Sequence, residues 1–182
     1  VAFTVDVDRD VNLACKGQVC SASNGGNGAR FTSSGRGLEL ILQVMRETGT
    51  KGTFFWEGRT AEELSKRMDL AKMMEGHETA LHGYDHEDFS GQGTGVPLDG
   101  EQVAEVLDRA DSALERAFGR ARRGFRAPYQ RTSEALMREL VRRNYLYDSS
   151  ETVVMTEGKV GPYRRQDGLL EAPVCWTLDR RG

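Results

Sequence analysis

Apolar residues recur along this chain with two different periods, and the switches between them mark its elements. Residues 1–8, "VAFTVDVD", alternate apolar with small or acidic side chains, the period-two pattern of a strand. In "GLELILQVMRETG", Leu38, Ile41, Leu42 and Met45 fall at i, i+3, i+4 and i+7, which predicts an amphipathic helix stopped by Gly49. "KGTFFWEG" reads as a short buried strand. Thr60 and Glu63 have the spacing of a capping box and predict a helix running to about Gly76. "HETALHG" is a further strand. Asp99 is expected to cap a helix whose Val103, Val106, Leu107, Ala110, Leu114 and Ala117 form a buried stripe. "RGFRAPY" predicts a strand, and "SEALMRELVRRN" a helix with Leu136, Met137, Leu140 and Val141 inward. "YLYDSS" and "GLLEAPVCW" predict two more strands.

Strands alternating with helices imply βα units around a parallel sheet, an α/β fold. Periodicity alone does not choose between an open sheet and a closed barrel. One stretch fits neither period: residues 9–36, rich in Gly, Ser and Asn, are expected to form a long loop of the lid or binding-loop kind.

At 182 residues and 20.2 kDa the chain is one domain's worth, so residues 1–182 are read as a single domain. Hydrophobic content of 38% beside 29% charged residues is ordinary for a soluble globular protein. A net charge of -3 and a pI near 5.7 argue against a nucleic-acid or anionic membrane surface as partner. No apolar run approaches the ~20 residues that span a bilayer. The basic clusters "RARRGFR" and "RELVRRN" stand apart, but the second carries Glu on a helix and reads as a solvated face. No GxxxxGK or GxGxxG motif follows the first strand, which removes the commonest nucleotide-binding readings. Cys15 and Cys20 flank a short loop and leave a small disulfide and free thiols equally open, with Cys175 alone. The chain starts at Val1 rather than Met, so the lack of a visible signal peptide says nothing of compartment.

The candidate chemistry lies at strand ends. Asp6 and Asp8, two apart, project to one face at the C-terminal end of the first strand, where parallel α/β folds build their sites. Two carboxylates that close repel unless a cation sits on one and leaves the other free as a base. His82 and His86, in "HGYDHED", stand at i and i+4, a spacing that on a helical turn brings both rings to one side. With one Asp they make a two-His, one-carboxylate set suited to Zn²⁺ or another first-row divalent ion. Such an ion lowers the pKa of its water from ~15.7 toward ~7. His77, the remaining histidine, is read as a packed residue rather than a ligand.

"FTVDVD", "GHETALHGYDHED" and "GFRAPY", in that order and spacing, resemble the polysaccharide deacetylase (NodB-homology) family, carbohydrate esterase family 4, in its branch with a DxD first motif. "YLYDSS" and "LLEAPVCWTLD" are similar to that branch's later strands, so the resemblance covers nearly the whole chain. It implies a distorted (β/α)7 barrel-like fold, here incomplete at the C-terminus. It implies that Asp8, His82 and His86 hold a divalent metal, Zn²⁺ first, with Co²⁺, Ni²⁺ or Mn²⁺ as alternatives. Asp6 would be the general base, Arg126 its ion-pair partner, and the Tyr129 N–H, stiffened by Pro128, an oxyanion donor. The reaction implied is hydrolysis of N-acetyl groups on an N-acetylhexosamine-containing glycan, peptidoglycan- or chitin-like.

The sequence departs from the family in having no His after His86, where a late strand normally supplies one to protonate the leaving amine. Asp148 and Asp179, on predicted strand ends, could contribute that acid instead. Two rivals follow: the same chemistry on small or cyclic non-glycan amides, and a glycan-binding scaffold without turnover. Only Tyr84, Phe89, Tyr129 and Trp176 lie near strand ends as sugar-stacking candidates. A glycan substrate would imply an extracellular or envelope location and small amides a cytoplasmic one. The residues fix neither the address nor the oligomeric state.

Overall fold

The computed structural model describes residues 2–9, 11–14, 16–17, 21–23, 31–119, 124–154 and 161–176. The Cys15–Cys20 pairing and Asp179 lie outside these residues. β1 spans Phe3–Val7, and β2 (Val11–Ala14) and β3 (Ser21–Ser23) follow it as an antiparallel pair. α1 (Thr32–Thr48) leads to β4 (Gly52–Trp56), α2 (Gly58–Ser65) and a short α3 (Leu70–Met73). Next come β5 (Glu78–Leu81), α4 (Gly100–Phe118), β6 (Gly124–Phe125), a 3-10 turn at Pro128–Gln130 and α5 (Glu134–Arg142). β7 (Tyr147–Asp148), β8 (Thr152–Val154), β9 (Tyr163–Arg164), β10 (Leu170–Glu171) and β11 (Val174–Trp176) complete the order.

Among the described residues, seven strands form one sheet in the order β1-β4-β5-β6-β7-β10-β9. Every neighbouring pair is parallel except β10–β9, and helices connect the successive strands from β1 through β4, β5 and β6 to β7. The registers join into one row across the sheet: Val7, Trp56, Leu81, Phe125, Asp148 and Glu171 lie side by side at the strands' C-terminal ends. Val7, Trp56, Leu81 and Phe125 turn into the core, where Leu38 and Leu42 of α1 and Leu107 and Leu114 of α4 meet them. Burying each such side chain contributes about 1.5–3 kcal/mol. Because side chains alternate along a strand, the residues just before and after that row face the other side of the sheet. Asp6, Asp8, His82 and Arg126 all occupy such positions.

The helical stripe predicted for α4 is present, and Asp99 caps it with Gln102 in a full capping box; Val106 and Ala117 are only partly buried. Elsewhere the elements differ from the pattern. α1 begins at Thr32 despite Gly35 and Gly37, because buried Phe31 and a Ser34 hydroxyl donating to the Asp8 carbonyl at 2.6 Å tie its first turn down. The helix expected from Thr60 to Gly76 is two helices, and Thr60 lies inside α2 with its hydroxyl on Glu57 rather than in a capping box. Val141 is 37% exposed, not inward. The run "GLLEAPVCW" breaks at Pro173, which has no N–H for a ladder, so β10 and β11 join different sheets. No helix among the described residues is long and apolar enough to cross a membrane.

Candidate functional site

Two loops leave the C-terminal edge of the sheet and converge. Asp8 follows β1, His82 follows β5, and His86 sits four residues on. Each offers one ligand atom, and these atoms all lie within 4.8 Å of one another. His86 Nε2 is 3.3 Å from Asp8 Oδ2, and the two imidazole rings lie 5.2 Å apart. The histidines are not on a helix, as their spacing had suggested. The turn is made instead by left-handed backbone at Gly83 (φ 72) and His86 (φ 56). Glu87 holds it closed, its buried carboxylate accepting the Tyr84 N–H at 3.0 Å and the Asp85 N–H at 2.8 Å.

His82 has its tautomer dictated by the backbone. Its Nδ1 lies 2.8 Å from the Arg126 carbonyl, which can only accept, so Nδ1 carries the proton and Nε2 keeps its lone pair. Burial pushes this imidazole below its ordinary pKa, against the pull of Asp6, and favours the neutral ring that binds a cation. Two imidazoles and a carboxylate, one nitrogen pre-oriented by a backbone acceptor, fit a first-row divalent ion.

Asp6 stands beside this set, gripped by Arg126. Nη1 of Arg126 donates to Asp6 Oδ1 at 2.6 Å, while its guanidinium carbon sits over Phe55, 4.0 Å from the ring centre. Arg126 is buried, whereas Asp6 keeps 35% of its side chain in solvent. Tyr129 follows two residues beyond Ala127, with φ 57, and Gln130 repeats that conformation at φ 56. The Tyr129 ring meets His86 edge-on at 4.6 Å. Of the four non-glycine residues with positive φ among the described residues, three lie in the loops of His86 and Tyr129, which concentrates backbone strain at the site.

Sequence reasoning missed the charged scaffold underneath. Arg9, directly after Asp8, is buried between Glu57 and Asp85, and joins the ends of β1 and β4 to the histidine loop. Burial drives Glu57 up to about 7, against the attraction of Arg9. Asp88 anchors the next segment by accepting from the Gly93 N–H at 2.7 Å and the Thr94 N–H at 3.1 Å. The signal was a run of charges beside apolar strand ends in "DVDRD" and "FFWEG".

Other candidates are committed elsewhere. His77 stands at the opposite end of β5, its Nδ1 accepting the Gly52 N–H at 3.3 Å and its ring edge-on to Phe54. Tyr84 is tethered to Glu62 at 2.8 Å under Arg109, and Phe89 is fully buried, so neither offers a sugar platform. Asp148 ends β7 as expected but lies buried against Ser150. A cavity of about 200 Å³ lined by Asp6, Asp8, Ser34 and Leu38 opens beside the site. A larger one of about 670 Å³, along α5, touches none of the candidate residues.

Comparison with known proteins places this arrangement among relatives. The family model for polysaccharide deacetylases matches residues 34–147. A peptidoglycan deacetylase-like protein of Gibberella zeae is 33% identical over 79% of this chain and 47% of its own length. The peptidoglycan deacetylase of Helicobacter pylori is 25% identical over 80% of the chain and 46% of its own. A solved Mycobacterium smegmatis structure assigned as a polysaccharide deacetylase superposes with a TM-score of 0.71 at 28% identity, covering 96% of this chain and 58% of that one. The chain therefore spans about half the length of the curated relatives it matches. The barrel-like α/β fold class implied by the motifs holds.

Proposed function

The chain belongs to the polysaccharide deacetylase family, and from that footing we propose that it is a hydrolase removing N-acetyl groups from N-acetylhexosamine units of a peptidoglycan- or chitin-like glycan. The observation that supports this reading most is the clustering of Asp8, His82 and His86 within 4.8 Å, beside an Asp6 held by Arg126 at 2.6 Å.

We assign Asp8, His82 and His86 as the ligands of a divalent cation. When bound, that ion supplies Lewis acidity beside the acyl group and makes water acidic enough to yield hydroxide near neutrality. Asp6 acts as the base that takes the proton of the attacking water. Arg126 occupies Oδ1 of Asp6 and leaves the second oxygen open for that proton. The Tyr129 N–H, presented by its left-handed backbone, donates to the oxyanion that develops on the acyl oxygen. The scissile C–N bond then breaks, giving acetate and a free amine. His77 is at the far end of β5, on the Gly52 N–H, so it is not the group that protonates the leaving amine.

The test compares acetate release from N-acetylglucosamine oligomers and peptidoglycan fragments with turnover of a panel of small amides, using metal-loaded protein. Release from the glycans is expected. Turnover of small amides alone contradicts the glycan assignment, and no product under single-turnover conditions contradicts the hydrolase.

A further inference from the structure

The end of β7 carries a hydrogen-bond relay that the chemistry above leaves unused. Asp148, Ser149 and Ser150 are consecutive and all buried. Arg126 donates Nε–H to the Ser149 carbonyl at 3.0 Å and Nη2–H to the Ser149 hydroxyl at 2.9 Å. Ser149 donates its own proton to the Ala172 carbonyl at 2.7 Å. Ser150 repeats the device: its hydroxyl donates to Asp148 Oδ1 at 2.6 Å and accepts the Ala127 N–H at 2.7 Å. A hydroxyl has one proton, so both serine oxygens are fixed as acceptors facing residues 126–127.

Those contacts determine where Arg126 points. The guanidinium is planar, so fixing Nε and Nη2 against Ser149, with Nη2 also donating to Thr4 Oγ1 at 3.2 Å, over the Phe55 ring, leaves Nη1 directed at Asp6. Anchoring Ala127 N–H likewise fixes the chain immediately before Pro128 and the left-handed Tyr129. Behind the relay, Asp148 Oδ2 and Glu171 Oε2 are buried with no hydrogen-bond partner, at paired positions of β7 and β10. Burial raises both carboxyls above their ordinary range, and the charge of Asp148 raises Glu171 further; Arg165 Nη1, 3.9 Å from Glu171, is the nearby countercharge.

We propose that Asp148, Ser149 and Ser150, backed by Glu171, are positioning residues that aim Arg126 at Asp6 and set the turn presenting the Tyr129 N–H. The effect on rate rests on the deacetylase reading; the geometry does not.

The experiment measures kcat, KM, bound metal and Ala127 amide exchange in Ser150→Ala, Ser149→Ala, Asp148→Ala and Asp148→Asn. Ser150→Ala is expected to lower kcat by about 10- to 100-fold, with KM and metal content within twofold. Its Ala127 amide, slow to exchange in the parent protein, becomes fast. Asp148→Asn, which keeps an acceptor for Ser150, recovers most of the rate that Asp148→Ala loses. Should Ser150→Ala fail to fold, Ser149→Ala decides: a fall in kcat at constant KM supports the relay, and an unchanged kcat overturns it. Equal Ala127 protection in the parent and in Ser150→Ala overturns it whatever the activity. A parent protein that releases no acetate contradicts the deacetylase reading alone, and the exchange measurement still decides the relay.

Discussion

The two ends of β5 carry a histidine each, and they have opposite fates. His77, before the strand, and His82, after it, are both buried, and burial pushes both rings below their ordinary pKa. Both engage the backbone through Nδ1. At His77 the partner is the Gly52 N–H, so Nδ1 accepts, and in the neutral ring Nε2 carries the proton. At His82 the partner is the Arg126 carbonyl, so Nδ1 donates and Nε2 keeps its lone pair, in a ring that clusters with Asp8 and His86. The same residue type in similar burial becomes packing in one place and a ligand candidate in the other. What differs is the polarity of one backbone group and the charges beyond it. The polar groups around the two ends differ as well: Thr53, Glu78 and Tyr147 bond to one another near solvent, whereas Arg9, Glu57, Arg126 and Asp148 are sealed in.

Four substitutions sharpen that contrast. The largest effect is expected at Asp6: Asp6→Asn removes the base and should lower kcat by about 10²–10⁴-fold while metal content stays full, checked by acetate release alongside metal analysis. Second is Glu171, which burial and the charge of Asp148 raise to about 8 from 4.5. Between those values the unfolded chain has released a proton that the folded chain keeps, so stability is fully present below pH 4.5 and declines as pH climbs to about 8. Glu171→Gln should flatten that decline, on the order of 2–4 kcal/mol by pH 8, in urea unfolding series run at several pH values.

Third is Gly83→Ala. A Cβ there lies 2.8 Å from Glu87 Oε2 and 3.3 Å from Pro128 Cγ, at φ 72, so it strains the loop that carries His86. A loss of about 1–3 kcal/mol in thermal or chemical unfolding is expected, with weaker metal binding. The smallest functional effect belongs to the other end of the strand: His77→Ala should cost about 1–3 kcal/mol of stability, by leaving the Gly52 N–H without its acceptor, yet leave metal stoichiometry unchanged.

Much of this was legible in the sequence. The capping signal at Asp99 and the apolar stripe behind it marked α4, because local hydrogen bonds and burial there agree. Asp6, Asp8, His82, His86, Arg126 and Tyr129 were visible as polar residues at strand ends within recognisable motifs, and the fold brings them to one edge. The loop geometry was not legible: an i, i+4 histidine pair reads as a helical turn, and only Gly83, Glu87 and the left-handed His86 make it otherwise. Nor was the start of α1, where contacts from distant residues override the low helix propensity of Gly35 and Gly37. The Asp148–Ser149–Ser150 relay looked like an ordinary strand end, since its partners lie more than twenty residues away.

Metal binding tests the account at its centre. Equilibrium dialysis against Zn²⁺ followed by elemental analysis should find one tightly held ion per chain, lost in His82→Ala and Asp8→Ala and retained in His77→Ala. A parent chain that holds none, or a His82→Ala variant that keeps full occupancy, would contradict it.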